Sequence, residues 1–211
     1  MVQFITFEGG DGTGKTTQVN AAEDDLRQRS KSCLMTREPG GTALGKLIRK
    51  VLLEAGESEI AASTELFLYL ADRAQHVKQV IAPALTEGKI VLCDRFTDST
   101  LAYQGYGRGI DLAWLRRLND TASGGLRPHL TLLLDCPVET GLARAAGRRD
   151  QTGQAREDRF EREELEFHQR VRRGFLEMAH GEPERFRVVD ASRSVIETTE
   201  QIREILSREI A

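Results

Sequence analysis

The sequence lacks a basic surplus. It has 30 Lys and Arg against 33 Asp and Glu, a net charge of −3, whereas a protein that neutralises many duplex phosphates carries an excess of cations. Nucleic acid is therefore not an expected partner, and any anionic ligand must be met by local clusters of arginine. Paired cysteines are also missing: Cys33, Cys93 and Cys136 are far apart, odd in number and without C-x-x-C spacing. Each sits in an apolar run and reads as a small buried hydrophobe in a reducing compartment. No run approaches the ~20 apolar residues of a membrane helix. The start, MVQFITFEGG, is too short for a signal h-region and leads straight into a motif, so a soluble, cytoplasmic protein with no membrane partner is expected. His76, His129, His168 and His180 form no pair at metal spacing, no catalytic triad is evident, and neither repeats nor low-complexity linkers occur.

What is present suits one α/β domain spanning residues 1–211, with 39% hydrophobic and 30% charged residues. Short apolar runs at Val2–Phe7, Cys33–Thr36, Ile90–Cys93, Leu130–Asp135 and Phe186–Asp190 read as strands. Between them lie helical patterns: about Lys15–Arg29, Ala43–Ala55, Ser63–Glu87, Val138–Gly147, and one starting near Ser194. This alternation predicts a three-layer fold, a five-stranded parallel sheet flanked by helices on both faces. Ligands of such sheets bind beyond the carboxyl ends of the strands, where Glu8, Asp94-Arg95, Asp135 and Asp190 stand. Two glycine-rich segments read as irregular: Gln104–Gly109 as a loop, and Gly147–Gly153 as part of a movable flap.

Gly9-Gly10-Asp11-Gly12-Thr13-Gly14-Lys15-Thr16 matches G-x-x-x-x-G-K-[ST], between a strand and a helix as that motif requires. Its glycines let backbone N–H groups turn inward, and the following helix presents its positive end to phosphate. Residues Gly9 to Thr17 are the expected ATP-binding segment, with Lys15 reaching the β/γ-phosphates and Thr16 ligating Mg²⁺. None of the loop's variable positions is Arg, so a further cation for the transferred phosphoryl group must come from elsewhere.

Four further segments narrow the class: Thr36-Arg37-Glu38-Pro39-Gly40-Gly41, Asp94-Arg95-Phe96, Thr100-Leu101-Ala102-Tyr103-Gln104-Gly105, and Tyr69-Leu70-Ala71-Asp72-Arg73. Together with the phosphate loop, and in the same order from about Gln3 to Phe175, the set resembles bacterial thymidylate kinases, TREPGG and the DRF…YQG region being its most specific parts. The resemblance implies the P-loop NTPase fold with a small Arg-rich lid, ATP and dTMP as substrates, formation of dTDP in dTTP biosynthesis, and a homodimer.

Chemistry can be read beside the resemblance. Tyr69 and Arg73 are one helical turn apart and share a face: a ring for stacking on a base, and a guanidinium for one of its carbonyls. Periodicity alone would make them core filler and surface charge, and Phe67 and Leu70 are alternatives for the base contact. Thr100 and Gln104, likewise a turn apart, offer a hydroxyl and an amide to a pyrimidine edge. Tyr103 resembles the family residue packed against the sugar. Arg95 suits bidentate capture of the acceptor phosphate, and Asp94 suits Mg²⁺, directly or through water. Arg37 resembles a family Arg that positions that phosphate, with pairing to Glu38 the alternative. Asp11 resembles the loop carboxylate that meets the sugar 3′-OH, and Glu8 reads as outer-shell or structural.

Between Arg144 and Arg159 the sequence RAAGRRDQTGQAREDR carries five arginines. The family includes members whose flap Arg closes over the transferred phosphate, which assigns Arg148, Arg149 or Arg156 to catalysis alongside Lys15 and Arg95; a solvated helix face is the plainer reading. Beyond it, Asp158-Arg159-Phe160-Glu161 is expected to open a long helix packed through Phe160, Phe167, Val171, Phe175 and Met178. The rivals are a kinase for another nucleoside monophosphate or a deoxynucleoside, a GTPase, for which no N-K-x-D reader appears, and an idle nucleotide-binding module.

Overall fold

The computed structural model describes residues 3–53, 60–152, 160 and 163–210, with the side chains of 148–152 excepted. Five strands form one all-parallel sheet in the order β2-β3-β1-β4-β5. They are β1 (Phe4–Glu8), β2 (Cys33–Arg37), β3 (Ile90–Asp94), β4 (Leu130–Asp135) and β5 (Phe186–Asp190), close to the expected runs. Alternation along β1 sorts the two faces. Ile5 and Phe7 pack under α1 (Lys15–Gln28) and α9 (Val195–Glu209), with Leu132, Leu134, Val189 and Leu206 in the same cluster. Phe4 faces the other way, against Val77, Ile81 and Phe96. On that face polar groups are matched across strands: Thr6 and Thr131 share a hydrogen bond of 2.9 Å, and Arg185 donates to Thr131 and to buried Asp98 at 2.7 and 2.6 Å.

The remaining helices are α2 (Ala43–Leu53), α3 (Ala62–His76), α4 (Ala82–Thr86), α5 (Thr97–Thr100), α6 (Leu112–Ser123), α7 (Val138–Thr152) and α8 (Leu165–Gly181). Several differ from expectation. The segment 63–87 is not one α-helix but α3, a wide π-helical turn at Val77–Ile81, and α4. Pro83 opens α4, and its missing N–H breaks the regular ladder just upstream. Most of Gln104–Gly109 is not a loop: a second π-helix, Leu101–Gly107, continues from α5, and only Arg108 and Gly109 lie beyond it. Its glycines are contact points, since a Cβ on Gly105 would lie 2.4 Å from the Leu112 side chain and one on Gly107 2.6 Å from the Phe167 ring.

Helix α7 runs through Gly147 to Thr152, not stopping at Gly147. That position is open, so the glycine weakens the helix by only ~1 kcal/mol. The long helix α8 starts at Leu165, not at Asp158. Helix α6, which periodicity did not single out, is capped by Asp111, whose side chain accepts the Trp114 N–H at 2.7 Å, and ends at left-handed Gly124.

Candidate active site

The phosphate loop leaves the carboxyl end of β1 at the centre of the sheet. Gly9, Gly12 and Gly14 all have positive φ (138°, 71° and 90°), which only glycine adopts without strain. Lys15 Nζ donates to the Gly9 and Gly10 carbonyls at 3.0 and 2.6 Å. Burial, and then the neighbouring Arg95 charge, lowers its pKa to about 8. The Thr16 hydroxyl donates to Asp94 Oδ2 at 2.9 Å. Register explains that meeting, because Phe7 of β1 sits opposite Asp94 of β3 and Arg37 of β2 sits opposite it on the other side. Arg37 lies 3.7 Å from Asp94, so its carboxylate neighbour is Asp94 and not Glu38.

Arg95 follows β3 with φ of 71°, a left-handed conformation costly for a side-chain-bearing residue. The turn throws its guanidinium back over the phosphate loop. Nη1 donates to the Gly9 carbonyl and Ser99 Oγ at 3.0 and 3.1 Å, and Nη2 to Asp11 Oδ1 and the Tyr103 hydroxyl at 2.7 and 3.1 Å. Tyr103 closes the triangle by donating to Asp11 Oδ2 at 2.9 Å. Burial alone would raise the Asp11 carboxyl, but Arg95 and Lys15 outweigh it and hold Asp11 below its ordinary range. Behind them Glu8 accepts the Phe96 N–H and the Ser99 hydroxyl at 2.7 and 2.6 Å. Burial, then Asp98, pushes its carboxyl up to about 8. Glu8 is a structural acceptor that fixes the chain after Arg95.

Beside this triangle lies a cavity lined by Asp11, Tyr69, Arg73, Arg95, Thr100, Tyr103 and Gln104. Of the residues expected at the acceptor, it gathers every one except Arg37. Arg73 is 1% exposed. Its Nε donates to Glu38 Oε2 at 2.8 Å, Nη1 to Thr100 Oγ1 and Asn119 Oδ1 at 3.0 and 2.5 Å, and Nη2 to the Phe96 carbonyl at 3.1 Å. A guanidinium has five N–H donors, so among the described residues one Nη2 N–H is left over. Tyr69 lines the cavity, Phe67 is 53% exposed and Leu70 belongs to the core, which separates the three alternatives for the base contact.

Residues not singled out from sequence complete the site. Glu38 holds both Arg73 and His76, whose Nδ1 lies 3.0 Å away. Asn119 orients Arg73 from α6, and Phe96 and Phe160 contribute rings to the cavity wall. Asn119 was findable as a polar residue among the apolar positions of an amphipathic stretch; Glu38 adjoined a motif already noted. Phe160, expected only to pack, lines the cavity and also packs edge-on against Tyr103 at 5.3 Å.

Of the lid arginines, Arg148 and Arg149 fall within α7 but their side chains lie outside the described residues, as does Arg156 altogether. Arg144, at the other end of that basic run, donates to the Ala191 and Ser192 carbonyls at 2.6 and 3.1 Å and ties α7 to the turn after β5.

Comparison with known proteins agrees with this geometry. A family model described as thymidylate kinase matches residues 7–202. A thymidylate kinase of Geobacter sulfurreducens is 55% identical over 98% of this chain and 97% of its own length. Another, of Desulfovibrio desulfuricans, is 56% identical over 90% of this chain and 88% of its own. The crystal structure of a thymidylate kinase from Ehrlichia chaffeensis superposes with a TM-score of 0.75 at 33% identity, covering 97% of this chain and 98% of that one. A phosphate loop, a second cation site leaning onto it and a cavity of matching side chains thus occur in a chain that belongs to the thymidylate kinase family of P-loop phosphotransferases.

Proposed function

We propose that the protein transfers the γ-phosphoryl group of ATP to dTMP, forming dTDP and ADP by direct in-line displacement with no covalent enzyme intermediate. The observation that carries this reading is Arg95: one guanidinium hydrogen-bonds the phosphate loop at Gly9 and the cavity residues Asp11 and Tyr103. Two phosphates bound on either side of it lie within reach of a single phosphoryl group. Catalysis of this kind is positioning plus charge stabilisation. The loop N–H groups and Lys15 hold the donor, Arg95 and Arg37 orient the acceptor phosphate, and Asp11 and Tyr103 engage the sugar. Tyr69 stacks on the base while Arg73, Thr100 and Gln104 read its polar edge. Thr16 and Asp94, in contact and offering only oxygen, fit the hard-cation chemistry of Mg²⁺; when bound, that ion neutralises the donor oxygens. Arg148, Arg149 or Arg156 supplies the remaining cation.

A homodimer is supported by an apolar face: Leu44, Leu47 and Val51 of α2 and Phe67 of α3 are 48, 64, 52 and 53% exposed. Single exposed apolar residues need no explanation, but Leu44, Leu47 and Val51 recur at helical spacing on one face of α2, a helix packed on α3; such a stripe suits an interface, and a self-complementary one closes as a two-fold pair. A cytoplasmic setting is supported by three unpaired cysteines; no helix among the described residues is long and apolar enough to cross a membrane.

An acceptor panel with ATP tests the reading. Formation of dTDP from dTMP, with AMP and free thymidine poor acceptors, is expected. Phosphorylation of AMP but not dTMP would overturn it.

A further inference from the structure

Glu65 belongs to α3, one turn before Tyr69, and is fully buried at 0% exposure. Gln104 Nε2 donates to its Oε1 at 2.7 Å. Arg108 Nη2 lies 3.4 Å from its Oε2 and reaches Glu163 at 2.6 Å, so a cation faces the carboxylate from the π-helix side. A carboxylate only accepts hydrogen bonds, whereas a glutamine side chain has one donating and one accepting end. Glu65 therefore captures the amino end of Gln104 and leaves the carbonyl Oε1 for the cavity that Gln104 lines. Among the described residues nothing donates to that oxygen, and it is not sealed off as a buried orphan.

We infer that Glu65 is a specificity-determining positioning residue: it fixes which way round Gln104 faces, and so which pyrimidine edge the cavity accepts. This rests on the acceptor reading above. With Gln104 held, the cavity offers an N–H from Arg73 beside a C=O from Gln104. Thymine and uracil, with a carbonyl next to a ring N–H, complement that pair. Cytosine, with an amino group next to a bare ring nitrogen, sets donor against donor and acceptor against acceptor, and unpaired polar groups in a closed site discriminate strongly. Without an acceptor-only partner, Gln104 is free to turn over and serve either edge.

The test uses full-length wild-type, Glu65→Gln and Glu65→Asp proteins, assayed with ATP and either dTMP or dCMP. Glutamine is isosteric but can itself donate. Glu65→Gln is expected to lower kcat/KM for dTMP by about tenfold or more, mostly through the acceptor KM, and to shrink the dTMP-to-dCMP ratio by at least as much. The KM for ATP is expected to stay within about twofold, and Glu65→Asp, which keeps an acceptor-only group, to retain the larger part of the ratio. An unchanged ratio in a folded Glu65→Gln enzyme would overturn the inference. A wild-type enzyme inactive on dTMP would instead overturn the acceptor assignment. Should Glu65→Gln not fold, a crystal structure of the wild-type protein with dTMP decides. Gln104 Nε2 still on Glu65 with Oε1 about 3 Å from the base N3 supports the inference; an amide turned off Glu65 to donate to the base sinks it.

Discussion

Lys15 illustrates what single residues do here and how far sequence reveals it. The motif identified the lysine, but not that it would be 8% exposed with Arg95 beside it. Its pKa falls from the ordinary 10.5 to about 8. A folded value below the unfolded one means that the stability contribution present above pH 10.5 is lost as pH falls through 8, when the buried amine must carry charge. Phosphate oxygens at Nζ remove that penalty and raise the pKa again. ATP binding at pH 8.5 is therefore expected to take up most of one proton per site, and at pH 6.5 almost none. Calorimetry in two buffers of different ionisation enthalpy measures this, and uptake equal at both pH values would refute it. Lys15→Met is expected to abolish the uptake and to lower kcat about 10²-fold or more. Glu38 and Asn119 were less legible than Lys15 because their importance lies in holding Arg73, a tertiary relation with no local spacing.

Elements were legible where one period dominated. All five strands and α1 followed from apolar runs and the phosphate-loop motif. Glycine misled in both directions. In the π-helix it makes room for the Leu112 and Phe167 side chains, and at Gly147 of α7 it is merely tolerated. Two facing glycines carry a further consequence. A Cβ on Gly12 would meet the Gly141 carbonyl, and one on Gly141 would come within 2.4 Å of the Asp11 carbonyl. Helix α7 is thereby seated directly on the phosphate loop, and the helix that holds Arg148 and Arg149 takes its alignment from there. Gly141→Ala is expected to destabilise by about 1–3 kcal/mol and to weaken ATP binding more than about tenfold. Gly147→Ala, in open space on the same helix, is expected to gain up to ~1 kcal/mol. Thermal melts with and without ATP compare them. For the lid itself, Ala at Arg148, Arg149 and Arg156 in turn is expected to expose one position whose loss costs ~10³ in kcat; if none costs more than tenfold, the lid is not catalytic.

At the scale of the whole molecule, Leu47 is the most exposed residue of the apolar face formed by α2 and α3. Leu47→Asp is expected to weaken self-association by well over tenfold and yield monomers at micromolar concentration, as light scattering after gel filtration would register. A variant that self-associates as the wild type does would move the proposed interface elsewhere, and a monomeric wild type would overturn the dimer. The two nucleotide sites also differ in how the chain makes them. The donor loop is nine consecutive residues, whereas Arg73 is held from β2's exit, the turn after β3, α5 and α6 at once. The loop's own backbone turns are thus set within one short run of sequence. The setting of Arg73 is a collective one, drawn from the first third of the chain and its middle, so a change in any of the four supporting segments reaches the wall of the cavity that Arg73 lines.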